Sequence, residues 1–330
     1  MIAEGKITVF LGADVRIESN RVSSVSSLLK GRKNSEALAL FPMIYALCAH
    51  AHSAAARLAL GFEKVDLRMV LAENAREHLL RILIGWKAGP APILPAPPIM
   101  ALVTDMAQEI EHAGESRVAA DLESLLTKHV FGYSPAEFLR MDSLTWMADT
   151  QTGVAKYLRE LVQREWQSLG LVPPVILPDM PRAGLSEQMQ RPGYCDLPTW
   201  QGRCYETGPF ARQIMHPCVA TIVQTFGAGL LARLMARLVD LAQIPHQIRT
   251  AKPLEMAAGL GVVETARGRL VHFAKQQDGV ITDYRILAPT EWNFHPKGVA
   301  VQALAGLSGE KAQAVVNAID PCVDFELKAA

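Results

Sequence analysis

The chain has 330 residues, is half apolar, and carries 33 basic and 33 acidic residues, so its formal net charge is zero. A neutral chain without a block of like charge lacks the electrostatic footprint of a protein that binds nucleic acid or a membrane surface. Five cysteines are too few for a disulfide framework in a chain of this length, and the N-terminus carries no apolar signal segment. We therefore expect one cytoplasmic domain over residues 1–330, with reduced thiols.

The N-terminal segment predicts a small β-sheet. Apolar and polar residues alternate over 4–11 and 14–26, which is typical of half-buried strands in a hairpin or meander. Glu4 and Gly5 open this segment. By itself, Glu4 would be an ordinary surface residue at a frayed terminus.

The segment 37–62 is apolar enough to suggest a membrane span, but a proline, two histidines and an arginine interrupt it. Polar groups inside a span are costly, so a buried core helix is the better interpretation. Within one helix, Cys48 and His52 would lie on the same face, four residues apart. A cysteine on an alanine-rich helix is by itself most often a small core residue.

Residues 66–86 predict an amphipathic helix with Asp66 as its N-cap. Its apolar stripe consists of Leu67, Val70, Leu71, Ala75, Leu79, Ile82, Leu83 and Trp86. Glu77 and His78 lie at the edge of that stripe. From the helix alone, we expect a solvated carboxylate and a hydrogen-bonded histidine there.

The middle of the chain predicts helices between two proline-rich loops, at 87–99 and 171–182. Helical patterns cover 100–113, 116–130, 135–149 and 152–168. Ser134 and Glu137 flank Pro135 in a capping box, which fixes one helix start.

Residues 198–212 predict a turn that opens a helix, and residues 218–244 predict one long core helix. Cys195, Cys204 and Cys218 lie around this segment. Their spacing lacks the close pairs of a zinc site, so we expect them to be packing residues.

The C-terminal segment begins with Arg267-Gly268, a pair that suits a guanidinium held over a ligand where the backbone must come close. Strands at 269–275 and 280–287 follow, joined across Asp278-Gly279, which tolerate positive φ angles. Pro289-Thr290 comes next, then a helix-like segment over 308–319 and the sequence Asp320-Pro321-Cys322.

The order of these motifs resembles the large subunits of nickel–iron hydrogenases. That family carries E-x-(P)-R-G-x-L-x-H, a D-G hairpin, P-T-x-W-N and a C-terminal D-P-C, which residues 264–322 follow with Ala266 at the usual proline. Residues 198–212 are similar to its Y-x-G-x-x-x-E-x-G-P-L-A-R segment. The resemblance implies an α+β, predominantly α fold: a reduced hydrogenase large-subunit-like fold with long core helices, a small N-terminal sheet and a C-terminal β-hairpin.

The same resemblance assigns a metal site. Cys48 matches the second cysteine of R-x-C-G-x-C-x-x-x-H-x-x-A, and Cys322 matches a cysteine of the C-terminal pair. It implies these two cysteines as metal ligands. The surrounding residues would be Glu4, His52, Glu77, Arg267, Thr290 and Asp320.

Family roles follow for four of these residues. The glutamate at the position of Glu4 relays protons, and an acidic group stands near the metal at the position of Glu77. The equivalent of Arg267 lies over the metal site, and the equivalent of Thr290 donates to iron-bound cyanide. A structural salt bridge is the alternative for Arg267.

The departures from the family decide the expected chemistry. Tyr45 and Phe325 stand where catalytic members have the other cysteine of each pair, so at most two thiolates remain. Nickel in this setting needs the full thiolate set, and the cleaved C-terminal tail of catalytic subunits is missing. We therefore expect no nickel and no enzyme, but a transiently held iron with cyanide and carbonyl ligands.

Three hypotheses remain open. The first is a maturation scaffold for the iron unit; its partners would be a small iron-delivering chaperone with its iron–sulfur partner, and the large-subunit precursor. The second is a metal-free protein that mimics the large subunit and binds maturation factors. The third is redox catalysis at a mononuclear iron.

Overall fold

The computed structural model describes residues 5–20, 25–45, 47–62, 64–86, 93–255 and 259–329. Helices dominate these ranges and the strands form small sheets, so the predicted α+β, mainly helical class is confirmed. The helices are α1 Val25–Leu29, α2 Asn34–Ile44, α3 Ala49–Ala59, α4 Arg68–Gly85, α5 Ala96–Ala113, α6 Glu115–Leu125, α7 Pro135–Phe138, α8 Ser143–Asp149, α9 Gly153–Gln163, α10 Arg182–Met189, α11 Pro209–Gln213, α12 Pro217–Phe226, α13 Leu230–Thr250, α14 Pro289–Asn293, α15 Val299–Leu304 and α16 Gly309–Ile319. The strands are β1 Lys6–Leu11, β2 Arg16–Ser19, β3 Lys64–Val65, β4 Leu254–Glu255, β5 Leu260–Thr265, β6 Gly268–Gln277, β7 Val280–Leu287 and β8 Asp324–Ala329.

The two ends of the chain share one sheet. β1 pairs antiparallel with β2, as predicted, and parallel with β8, which the sequence did not predict. The parallel register places Ile7 opposite Phe325. The strand predicted over 14–26 was too long, because β2 ends at Ser19 and α1 begins at Val25.

α13 is the central helix, buried at every residue from Leu230 to Ala242 and packed against α4, α6, α11 and α12. The single helix predicted over 218–244 was wrong. The chain breaks at Gly227, whose φ of 83° ends α12, and restarts at Leu230. Since the segment turns there, its apolar pattern covers two helices that pack against each other.

Several helix boundaries in the middle of the chain differ from prediction. α5 begins at Ala96, inside the predicted proline-rich loop, because prolines are tolerated in a first turn. The helix predicted over 116–130 changes to a π-helical turn at Leu126–Phe131. The capping box is confirmed: the Ser134 hydroxyl accepts from the Glu137 N–H at 3.3 Å, and the Ser134 N–H donates to the Glu137 carboxylate at 2.9 Å.

The core helix predicted over 37–62 is two helices, α2 and α3, with Tyr45 and Cys48 in the break between them. None of the helices within the described ranges combines the length and apolar character that crossing a bilayer requires. Asp66 does not cap α4 as predicted, because α4 starts one residue later, after Leu67. Asp66 instead accepts a hydrogen bond from the Arg68 N–H at 2.9 Å.

The second three-stranded sheet, β5-β6-β7, carries the predicted hairpin. Its turn has φ of 52° at Asp278 and 74° at Gly279, which confirms the D-G prediction. The backbone of α3 lies directly against the backbone of β5. A Cβ at Gly261 would lie only 1.9 Å from the Ala55 carbonyl oxygen. The alanine-rich sequence of α3 is what permits this contact.

Candidate functional site

A cavity of about 700 Å³ lies between the N-terminal sheet, α1, and the β7–α14 connection. Both candidate ligands, Cys48 and Cys322, line it, although 274 residues separate them in sequence (322 minus 48). His52 and Thr290 line it as well. The fold therefore brings four of the predicted site residues to one cavity. Glu4, also predicted here, lies outside the described residues.

Cys48 was predicted to lie inside a helix, but it is the N-cap of α3, with φ −139° and ψ 42°. The first turn of α3 is held by Glu73 on α4, whose two carboxylate oxygens accept from the His50 and Ala51 N–H groups at 2.9 Å each. Burial raises the pKa of Glu73 to about 7. Glu73 thus fixes the helix start that positions Cys48, a role the sequence did not reveal.

Cys322 is fixed by Thr290 in the first turn of α14. The Cys322 N–H donates to the Thr290 hydroxyl oxygen at 3.1 Å, and that hydroxyl donates to the Cys322 sulfur at 3.0 Å. Thr290 is 3% exposed and Cys322 is 8% exposed. Thr290 therefore lies next to Cys322, as predicted, and its hydroxyl donates to the Cys322 sulfur in this structure.

Arg267 connects the two cysteines electrostatically. Its guanidinium donates to Glu77 at 3.0 Å and to the Pro321 carbonyl at 3.2 Å. Burial alone would lower the Arg267 pKa, but Asp320, Glu77, and the Cys322 and Cys48 sulfurs outweigh it and raise that pKa. The arginine therefore lies within electrostatic reach of both sulfurs.

Glu77 is only 4% exposed, so the solvated carboxylate considered from the helix pattern is wrong. Its partners are Arg267 and, at 3.1 Å, Arg76. The salt-bridge alternative for Arg267 is also present in the structure. Arg267 therefore forms a salt bridge with Glu77 and also lies next to Cys322, so the two interpretations are compatible.

Asp320 is 1% exposed and adopts a left-handed conformation with φ of 65° at the end of α16. Three guanidiniums converge on it, from Arg81, Arg237 and Arg267. Burial alone would raise the pKa of Asp320, but these arginines lower it to about 2. Asp320 is thus ionised and supports Arg267 from behind the cysteines.

The charges behind the cavity do not balance. Four arginines, Arg76, Arg81, Arg237 and Arg267, contact the two carboxylates Glu77 and Asp320. The adjoining group has more carboxylates than arginines, since Arg212 and Arg269 contact Asp240, Glu264 and the fully exposed Asp179. The group of Glu77, Asp320 and their four arginines therefore carries an excess of positive charge, which favours an anionic ligand.

His52 turns toward β6 as well as the cavity. Its Nδ1 lies 2.9 Å from His272 Nε2, and His272 Nδ1 lies 2.7 Å from the Tyr284 hydroxyl. The Tyr45 ring stacks on the His52 ring with centroids 3.5 Å apart and planes 4° apart. Tyr45, which we predicted at the position of a family cysteine, thus forms an aromatic side of the cavity together with His52.

The segment 198–212 supports Arg267 from behind. The Thr207 N–H donates to the Asn293 side chain at 2.9 Å, and Asn293 donates to the Thr207 carbonyl at 3.0 Å. Gly208, with φ of 117°, leads into α11 as predicted; a Cβ there would lie 2.9 Å from the Arg267 carbonyl oxygen. This segment therefore fixes the backbone that carries Arg267.

Sequence reasoning missed the charged residues of α13. Arg233, Arg237 and Asp240 are 3%, 1% and 7% exposed. Arg233 pairs with Glu206 through two hydrogen bonds of 2.8 and 2.9 Å. Their spacing of four and three residues inside an apolar helix was the available signal, because it places ionisable groups on one buried face.

The other cysteines divide into two groups. All five cysteines are thiols. Cys218 is 1% exposed and packs in the main core, as predicted. Cys195 packs against an apolar cluster, as predicted, and also lines the cavity, whereas the Cys204 sulfur lies 3.1 Å from His295 Nδ1.

Within the described ranges, no group of three or more His, Cys, Asp or Glu side chains could hold a metal ion. The soft donors at the cavity are thiols, backed by excess guanidinium charge. This set fits a thiophilic ion that brings its own anionic ligands, and it does not fit a metal held by a complete protein cage.

The chain is similar to proteins connected with hydrogenases. Residues 218–307 match the family model described as nickel-dependent hydrogenase. The chain is 30% identical to hydrogenase expression/formation protein HoxV of Cupriavidus necator, over 98% of this chain and 95% of that protein. It is 31% identical to hydrogenase expression/formation protein HupK of Rhizobium leguminosarum bv. viciae, over 96% of this chain and 93% of that protein.

A solved structure shows the fold. The nickel–iron–selenium hydrogenase of Desulfomicrobium baculatum superposes with a TM-score of 0.56 and 15% identity, covering 94% of this chain and 93% of that chain. The hydrogenase-like architecture is therefore confirmed at the level of fold.

Proposed function

Since the chain belongs to the family of hydrogenase expression/formation proteins, we propose that its part in hydrogenase maturation is that of a non-catalytic scaffold. Its cargo is an iron carrying cyanide and carbonyl ligands, held transiently through Cys48 and Cys322. One observation carries this proposal: the two cysteines line one cavity, and the Arg267 guanidinium donates to the Pro321 carbonyl next to one of them, Cys322.

The electrostatics support an anionic cargo. Two thiolates and two cyanides outweigh the charge of a ferrous ion, so the held unit would be negative. Four arginines face two carboxylates behind the cavity, which leaves positive charge to compensate for it. In a buried site this compensation is strong, because the local dielectric is low.

The scaffold would not hold nickel or catalyse hydrogen turnover. The resemblance puts Tyr45 and Phe325 at two cysteine positions of the family; Tyr45 stacks on His52, and Phe325 packs against the core beside β1. Of the three cysteines that line the cavity, only Cys48 and Cys322 match ligand positions of the family, fewer than nickel requires in this setting. The chain would receive iron from a small iron-delivering chaperone with its iron–sulfur partner and release it to the hydrogenase large-subunit precursor.

The experiment is infrared spectroscopy of protein purified anaerobically from cells that express the maturation machinery. We expect carbonyl and cyanide stretches in the unmodified protein and in Cys218→Ala, which removes a thiol outside the cavity. We expect the bands to be lost in Cys48→Ala and in Cys322→Ala. Circular dichroism of every variant checks that the fold is kept.

Two results would contradict the scaffold. A band-free protein that still supports hydrogenase maturation would be a metal-free interaction protein. Hydrogen-dependent dye reduction by the purified protein would make it an enzyme.

A further inference from the structure

Thr290 and Cys322 exchange two hydrogen bonds inside the cavity wall. The hydroxyl oxygen of Thr290 accepts from the Cys322 N–H at 3.1 Å, so the oxygen is held against the backbone of the same residue whose sulfur it contacts at 3.0 Å. Both residues are buried. The hydroxyl has one proton, and in this arrangement that proton points at the sulfur.

The local structure leaves this hydroxyl little other choice. A threonine inside a helix often donates to the carbonyl four residues earlier. Thr290 lies in the first turn of α14, which starts at Pro289, and the residue four positions before it is in β7. The Pro321 carbonyl next to Cys322 is occupied by the Arg267 Nε at 3.2 Å. The backbone around Thr290 and the backbone around Cys322 therefore both favour the hydrogen bond from the Thr290 hydroxyl to the Cys322 sulfur.

We propose that Thr290 is a positioning residue that weakens Cys322 as a metal ligand, so that a bound ion can leave. A hydrogen bond to a thiolate withdraws electron density from the sulfur, and outer-shell partners of this kind tune the ligand they touch. This inference rests on the proposed scaffold function and extends it to release. Holding the cargo requires both sulfurs, whereas giving it up requires that one of them be a poorer donor.

The cadmium ion alone tests the bond without any iron. Cd²⁺ bound to thiolates absorbs through sulfur-to-metal charge transfer, and a better sulfur donor shifts that band to longer wavelength. We expect a shift to longer wavelength in Thr290→Val, which keeps the shape but removes the hydroxyl. Thr290→Ser should restore the band of the unmodified protein. Thr127→Val, which removes a partly buried hydroxyl bound to the Glu123 carbonyl, should leave the band unchanged.

Infrared spectra of the iron-loaded protein then test the consequence. In Thr290→Val we expect the carbonyl stretch at lower wavenumber, with the cyanide stretches moving the same way. We also expect transfer of the unit to a competing thiol to be roughly tenfold slower, the lower end of the range for outer-shell changes. The serine variant should match the unmodified protein in both measurements.

The outcomes separate this inference from the proposed function. A cadmium band unaffected by Thr290→Val overturns the inference. So does a shift of one cyanide stretch alone, because the hydroxyl would then donate to cyanide. A shifted cadmium band in a protein that never shows carbonyl or cyanide stretches would support the Thr290–Cys322 bond while refuting the iron cargo.

Discussion

Arg267 illustrates how one side chain is held at the site. It is 6% exposed, and its neighbours Glu77 and Asp320 are 4% and 1% exposed. Buried charges cost several kcal/mol each in desolvation, so such a cluster contributes little net stability compared with apolar residues of the same size. Removing one member is destabilising, because the remaining charges stay buried and unbalanced. This cluster is a preorganised electrostatic environment for the cavity.

Substituting Glu77→Leu should therefore lower the free energy of unfolding by about 3–5 kcal/mol. The change leaves Arg267 facing the other arginines with one carboxylate fewer. Urea unfolding followed by circular dichroism measures it. The control is Glu187→Ala, which removes an exposed partner of Arg191 and should cost less than about 0.5 kcal/mol. Equal effects of the two substitutions would contradict the cluster's role.

At the scale of elements, Tyr45 and Phe325, which we predict to stand at cysteine positions of the family, are placed differently. Tyr45 lies in the break between α2 and α3 and lines the cavity. Phe325 lies on β8 opposite Ile7 and packs in a core cluster with Ile7, Val9 and Ile319. Phe325 is therefore packed beside the cavity-lining Ile7 but does not itself line the cavity.

A cysteine should thus reach the cavity from position 45 but not from position 325. We expect Tyr45→Cys to raise the number of thiolates around bound Cd²⁺ from two to three, read from the intensity of the charge-transfer band. Phe325→Cys is the matched substitution and should leave the number at two. A gain in Phe325→Cys would mean that β8 leaves β1 when metal binds.

Across the whole molecule, buried histidines and a buried glutamate change the free energy of unfolding with pH in opposite directions. Burial lowers the pKa of His78 to about 4 and of His272 to about 3, so both are neutral when folded and protonate on unfolding below 6.5. Burial raises the pKa of Glu73 to about 7, so the folded state holds a proton that the unfolded state lacks above 4.5. Between pH 4.5 and 6.5 the histidines favour unfolding as pH falls, and Glu73 opposes them.

Glu73→Gln should expose the histidine contribution. With the opposing proton removed, the loss of unfolding free energy on going from pH 6.5 to 4.5 should steepen by about 1.4 kcal/mol per pH unit. Urea titrations at several pH values in that interval measure the slope. Glu187→Gln, an exposed substitution, should not change it. An unaltered slope in Glu73→Gln would show that Glu73 is already ionised in the folded protein.

Local sequence determined the parts of this protein that depend on a few adjacent residues. The turn at Asp278-Gly279 follows from tolerance of positive φ, and the start of α7 follows from the Ser134–Glu137 capping box. The motif order in residues 264–322 also predicted residues that lie together, since Thr290 contacts Cys322 and Arg267 contacts Asp320.

Only the tertiary structure decided the rest. Where the helix over 37–62 breaks, which strand pairs with β1, and which arginines surround Asp320 all depend on partners far along the chain. Glu77 and Arg267 are 190 positions apart in sequence and form a salt bridge, and Cys322 and Thr290 are 32 positions apart and form a hydrogen bond. Whether a charge is solvated or buried depends on what packs over it, and a local pattern carries no record of that. The sequence could name the residues of the site, whereas the fold alone determined what each side chain contacts.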